Sequence, residues 1–105
     1  MIEKYLNCFK KERYLYSQHA RAEMEREEFG EIIDQEVYEA ALNGKIIETY
    51  SEDKPYPSCP IYEKISQGRP LHIVCALAED VDRVIIITVY QPREERWVDF
   101  ERRRQ

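Results

Sequence analysis

The sequence predicts an α+β domain, with two or three N-terminal helices packed on one face of a four- to five-stranded antiparallel sheet. Three observations carry this expectation. Apolar residues recur at helical spacing up to Gly44 and at strand spacing beyond it. The segments beyond Gly44 are joined by connections too short for a crossover helix, so neighbouring strands run antiparallel. The helices carry apolar stripes that need a sheet face to bury against. With 105 residues the chain makes one domain, read as an N-terminal helix (1–13), a core (14–90) and a C-terminal tail (91–105).

Each element has a local cause. Ile2, Tyr5, Leu6 and Phe9 stand at i, i+3, i+4 and i+7, one stripe of an amphipathic helix over 2–12. Tyr14, Leu15 and Tyr16 alternate like a short strand that joins the sheet edge. Ser17 is a helix N-cap, its hydroxyl placed to accept from an unpaired amide of the next turn. The following stretch to Glu28 favours helix and turns Ala20 and Met24 inward, until Phe29 and Gly30 end it. Asp34 is read as the cap of a further helix, with Ile33 and Tyr38 placed for a hydrophobic staple. Val37, Ala40 and Ala41 form that helix's core stripe. Gly44 stops it, glycine being free to take the left-handed conformation that closes a helix.

Strand character then takes over in Lys45–Tyr50, Ile61–Ser66, Leu71–Ala78 and Arg83–Tyr90. Pro55, Pro57 and Pro60 stiffen the loop after the first of these. Gln67-Gly68-Arg69-Pro70 is a hairpin signal. The last two strands are apolar on both faces and belong in the middle of the sheet.

Sixteen Lys and Arg against 21 Asp and Glu give a net charge of −5. That excludes coating of nucleic acid or an anionic membrane by bulk charge, so nucleic-acid contact requires a local basic patch. The longest apolar run, Val84 to Tyr90, is too short to span a bilayer, and the first residues lack the apolar core of a signal peptide. No membrane association and a cytoplasmic location are expected. Cys8, Cys59 and Cys75 show no C-x-x-C pairing, which points to reduced thiols rather than a disulfide framework or a zinc knuckle. Two histidines far apart, without ligand spacing, argue for no metal and no cofactor.

The residues that could carry chemistry are few. His19 lies in the first turn of a helix, whose positive end favours a neutral imidazole suited to a general base. His72 lies near the start of a central strand and shares a face with Val74 and Ala76. It is either a satisfied structural histidine or an acid–base group on a rigid strand, since an unpaired one would cost roughly 1–3 kcal/mol. Arg26, Arg69, Arg93, Arg96 and the Arg102–Arg104 run suit bidentate phosphate contacts. Tyr50, Tyr56, Tyr90 and Trp97 could stack bases. Each has a bland counterpart: a solvated tail for the arginine run, packing for the tyrosines, a solvated helix face for Glu23, Glu25, Glu27, Glu28 and Glu31. Cys59 has no obvious base beside it.

Several separated motifs line up across roughly residues 14–100. They are Tyr16-Ser17-Gln18-His19-Ala20 followed by Met24 and Arg26; Asn43-Gly44-Lys45-Ile46-Ile47-Glu48 after the Val37 helix; and Asp53-Lys54-Pro55-Tyr56-Pro57-Ser58-Cys59. Gly68-Arg69-Pro70-Leu71-His72-Ile73-Val74 and Ile87-Thr88-Val89-Tyr90, with Pro92 and Trp97, complete the set. In these pieces the sequence resembles the bacterial domain-of-unknown-function 4258 family, itself similar to the RelE/ParE-like and MqsR-like toxins.

That resemblance implies a RelE-toxin-like fold and a metal-independent endoribonuclease of a type II toxin–antitoxin module. RNA would be its substrate, and a small antitoxin of zinc-finger or helix-turn-helix type its partner. RNA carries its own nucleophile, the 2′-hydroxyl, so a base, an acid and a cationic donor suffice. His72 and His19 would move protons, Arg69 would steady the phosphate, and Arg26, Tyr90 and Tyr56 would bind substrate. The alternative is a non-catalytic protein-interaction module that keeps the toxin fold, which the acidic balance favours. A homo-oligomer formed through an exposed strand edge is a further expectation. The enzymatic reading expects His19, Arg69 and His72 to open onto one solvent pocket.

Overall fold

The computed structural model describes residues 2–52 and 54–104, with Ile2 described by its backbone alone. The core position read at Ile2, and Asp53 of the loop motif, lie outside the described residues. In chain order the elements are α1 (Ile2–Lys10), β1 (Tyr14–Tyr16), α2 (Gln18–Arg26), α3 (Asp34–Asn43), β2 (Lys45–Ile46), β3 (Ser58–Lys64) and β4 (Pro70–Ala78). A 3-10 turn at Glu79–Val81 leads into β5 (Arg83–Tyr90), followed by β6 (Trp97–Val98) and β7 (Arg102–Arg103).

The main sheet has the order β1-β5-β4-β3-β2. Strands β2 to β5 form the expected antiparallel meander. Strand β1 joins the edge but runs parallel to β5, so the sheet is mixed, not antiparallel throughout. Short hairpins dictate direction only between consecutive strands. β1 and β5 are separated by most of the chain, and no turn constrains their pairing. The segment expected to be a tail folds into the β6–β7 hairpin, a second small sheet.

Helices α1 and α3 cover one sheet face. Tyr5, Cys8 and Phe9 from α1 and Val37, Ala40 and Ala41 from α3 are buried with Ile61, Leu71, Ile73 and Cys75. α2 adds Ala20 and Met24 to this core but also borders the outer edge of β5. Ser17 caps α2 as expected, accepting from the Ala20 amide at 3.0 Å. The α3 cap lies one residue before Asp34, at Ile33, whose amide donates to the Glu36 carboxylate at 3.0 Å. Ile33 is itself the cap and half exposed, so it does not occupy the position before the cap that a staple uses.

Gly44 corrects a second expectation. Its φ and ψ of −80° and 170° are extended, not left-handed. Glycine is needed for space: a Cβ there would stand 2.5 Å from Ile61 Cγ2, 2.6 Å from the Ala40 carbonyl and 2.9 Å from the Tyr62 carbonyl. Two of these are backbone atoms that cannot rotate away. Gly44→Ala is therefore expected to destabilise the fold by about 1–3 kcal/mol, read as a lower midpoint in thermal unfolding.

Strand β5 contains the irregularity that builds the site. Val74 pairs with Thr88 and Cys75 with Ile86, so Ile87 is an extra residue bulged out of the ladder. Before it the even positions Val84 and Ile86 face the core; after it the odd position Val89 does. The bulge thus reverses the alternation and turns Tyr90 onto the face of His72, its cross-strand partner. The Ser17 hydroxyl donates to the Ile87 carbonyl at 2.9 Å, tying the start of α2 to the bulge.

Candidate active site

On the sheet face away from α1 and α3, Tyr62, His72 and Tyr90 form a row across β3, β4 and β5. The β6–β7 hairpin closes over it. His72 is 0% exposed. Its Nε2 lies 2.6 Å from the Phe100 carbonyl and its Nδ1 lies 3.0 Å from the Tyr90 hydroxyl. A carbonyl can only accept, so Nε2 carries the proton. Neutral Nδ1 then accepts from the Tyr90 O–H. Burial holds the imidazolium pKa down to about 4, against a smaller upward pull from the Phe100 carbonyl. Trp97 packs edge-on against the ring, with centroids 4.4 Å apart.

The hairpin is held firmly. Its turn, Val98 to Glu101, puts Asp99 and Phe100 at φ of 52° and 62°, a conformation usually left to Asn-Gly. Non-glycine residues there cost roughly 1–2 kcal/mol each and persist only where the surroundings impose them. The His72 bond to the Phe100 carbonyl and the Lys45–Glu101 ion pair supply that constraint. Arg103 lies over the Trp97 ring at 4.8 Å and donates to the Glu48 carboxylate and the Tyr50 hydroxyl. The terminal arginine run is thus partly built into the fold.

Beside this closed row lies an open cleft of about 310 Å³, lined by Glu23, Tyr90, Gln91, Arg93, Arg96, Trp97 and Arg103. Three arginines and one glutamate line it, and two of the arginines are neutralised by carboxylates outside the lining. Arg93 pairs with Glu28 and Arg103 with Glu48, while Arg96 makes no ion pair among the described residues. Burial pushes the Tyr90 hydroxyl up to about 12, so it stays protonated as a donor.

Glu23 joins this cleft to a shallow depression along α2 that also includes His19 and Arg26. His19 Nε2 lies 3.4 Å from Glu23 Oε1, and the imidazole is largely exposed. Glu23 also accepts the Val89 amide at 3.1 Å, and Glu27 accepts the Gln91 amide at 2.7 Å. β1 ends before these amides. Two carboxylates one helical turn apart, a rise of about 6 Å, match two amides two residues apart on a strand. Burial raises the Glu23 pKa, partly countered by the Val89 amide.

The sequence-based site residues therefore separate. His19 and Arg26 share the α2 depression, and Tyr90 lines the adjoining cleft. His72 sits behind Tyr90, out of solvent. Arg69 is taken up elsewhere: its guanidinium donates to the Gln91 side chain at 2.8 Å, to the Glu31 carbonyl at 3.1 Å, to the Gly30 carbonyl and to Glu36. Tyr56 bonds to Asp80 at the β4–β5 turn, the opposite end of β5 from Tyr90. The expectation of one pocket shared by His19, Arg69 and His72 is not met.

Glu23 does not belong to the expected solvated face: its side chain is partly buried against β5 and accepts the Val89 amide. Its position carried a signal, because Ala20, Glu23, Met24 and Glu27 fall at i, i+3, i+4 and i+7 on one helical stripe. Among the described residues, no cluster of three or more His, Cys, Asp or Glu is grouped to hold a metal, and no helix is long and apolar enough to cross a membrane. The three cysteines are free and buried.

Residues 16–91 match the model of a family described as a domain of unknown function (DUF4258). No curated protein and no solved structure matches the chain.

Proposed function

The chain belongs to the DUF4258 family, and from that premise we propose that it is a toxin-like, metal-independent endoribonuclease acting at the arginine cleft. The observation that supports this most is the cleft itself: Arg93, Arg96 and Arg103 beside Tyr90, with the Glu23–His19 pair at its rim. Arginine forks match phosphate oxygens bidentately. The resemblance to RelE/ParE-like and MqsR-like toxins, and to their control by a small antitoxin of zinc-finger or helix-turn-helix type, belongs to this proposal.

In the proposed reaction His19, oriented by Glu23, takes the proton of a 2′-hydroxyl. The 2′-oxygen bonds to the adjacent phosphorus and the bond from phosphorus to the 5′-oxygen breaks. Arg96 and Arg103 stabilise the charge that builds on the phosphoryl oxygens. The leaving 5′-oxygen takes a proton from water or from the His19 imidazolium, and a 2′,3′-cyclic phosphate remains. Tyr90, whose one O–H proton is given to His72 Nδ1, offers its ring to the substrate from the cleft wall. His72 fixes Tyr90 and moves no proton to substrate.

The test is cleavage of a single-stranded transcript by the full chain in excess chelator. Wild type is expected to leave cyclic-phosphate ends. His19→Ala should lose about 10²–10⁴ in rate and Arg96→Ala about 10²–10³. The second reading, a binding module without catalysis, is favoured by the engagement of both His72 and Arg69 in structural bonds. Binding of RNA or of a partner protein without cleavage would select it. Neither binding nor cleavage would remove the nuclease proposal.

A further inference from the structure

We propose that a second pocket, on the other side of the Gln91–Arg96 loop, is a base-binding subsite for an extended single-stranded polynucleotide. This rests on reading the arginine cleft as a phosphate site. The pocket is about 350 Å³ and includes Phe29, Phe100, Pro70, Pro92, Lys64 and Arg93 in its lining. It shares Gln91 and Arg93 with the arginine cleft, so the two adjoin at the loop.

The carrying observation is Phe29. It stands in the α2–α3 connection, just before Gly30 at φ 109°, and is 49% exposed. The core does not use its ring. An exposed aromatic ring in a pocket that adjoins the arginine cleft offers a stacking surface for an unstacked base, while a neighbouring phosphate lies on Arg96. Phe100 presents a second aromatic surface in the same pocket, fixed by the bond of its carbonyl to His72. Lys64 and Arg93 are the cations of this pocket, and Arg93 is paired with Glu28. Glu94 and Glu95 also line the pocket. They disfavour a phosphate there and leave the base as the fitting moiety.

The experiment is fluorescence anisotropy with the full chain and two probes, a labelled ten-nucleotide single-stranded RNA of mixed sequence and labelled inorganic polyphosphate. Phe29→Ala is expected to weaken RNA binding about tenfold, in the range for loss of one stacked base, and to leave polyphosphate binding unchanged. Phe29→Trp should retain RNA binding. If Phe29→Ala leaves RNA affinity intact while Arg96→Ala lowers it, the subsite is overturned and the arginine cleft stands. Equal weakening of both probes by Phe29→Ala overturns base contact as well. If wild type binds neither probe, both readings fail. If Phe29→Ala instead abolishes self-association seen by sedimentation, without affecting RNA, the pocket belongs to a second copy and the proposal falls.

Discussion

His72→Ala is expected to lower the unfolding free energy by about 3 kcal/mol or more, measured by urea denaturation at pH 7. The substitution opens a void beneath Trp97 and strips the Phe100 carbonyl and the Tyr90 hydroxyl of their partner. It also releases the constraint on a turn with two left-handed, non-glycine residues. A variant as stable as wild type would refute this account of the hairpin. The pH dependence gives a sharper test. The folded pKa of about 4 lies below the ordinary 6.5, so the unfolded chain binds the proton more readily. His72's share of stability is therefore complete above about pH 6.5. It is lost as pH falls toward 4, by about 3 kcal/mol. Glu23, whose pKa burial raises, acts in the opposite sense, gaining stability as it protonates. The difference between wild type and His72→Phe isolates the histidine. The phenylalanine variant should lack this slope between pH 6.5 and 4.

Arg69→Ala is expected to cost about 3–5 kcal/mol. Arg69 and Glu36 are 14% and 11% exposed, and the guanidinium also serves two carbonyls of the α2–α3 connection and the Gln91 side chain. Removing it leaves a carboxylate buried without its cation and two carbonyls without donors. Lysine cannot reproduce a planar fork, so Arg69→Lys should recover little. The double variant Arg69→Met with Glu36→Gln should recover a large part of the loss, because no unpaired charge remains and glutamine can still accept from the Ile33 amide. Denaturant midpoints of wild type, Arg69→Met, Glu36→Gln and the double variant close the cycle. A double variant no better than Arg69→Ala would show that the carbonyl bonds dominate. Loss of activity in Arg69 variants would report lost structure, which is why His19 and Arg96 are the informative positions for chemistry.

What could be read from the sequence was what a few neighbouring residues decide. The Ser17 cap, the inward Ala20 and Met24, the α3 stripe, the Gly68 turn and the antiparallel meander all follow from capping, periodicity or short connections. At the two ends of α3, Asp34 and Gly44 are good terminal residues by type. The cap nevertheless fell on Ile33 because Glu36 reached back to its amide. Gly44 was required by the closeness of β3, not by its own φ. The Ile87 bulge was hidden because the strand is apolar on both faces, so a slip in alternation leaves no mark in composition.

The sequence by itself determined the α+β class, the helix and strand segments, the local acidity and the short list of groups able to do chemistry. Only the tertiary structure decided which of those groups meet. One partner of His72 is a backbone carbonyl 28 residues away, the partners of Arg69 lie on the α2–α3 connection, on α3 and just after β5, and the Val89 and Gln91 amides are met by Glu23 and Glu27 at the end of α2. Hydrogen bonds and ion pairs across a sheet depend on register, bulges and the path of a connection. No single stretch of residues carries that information, because it arises only when distant segments bury their apolar faces together.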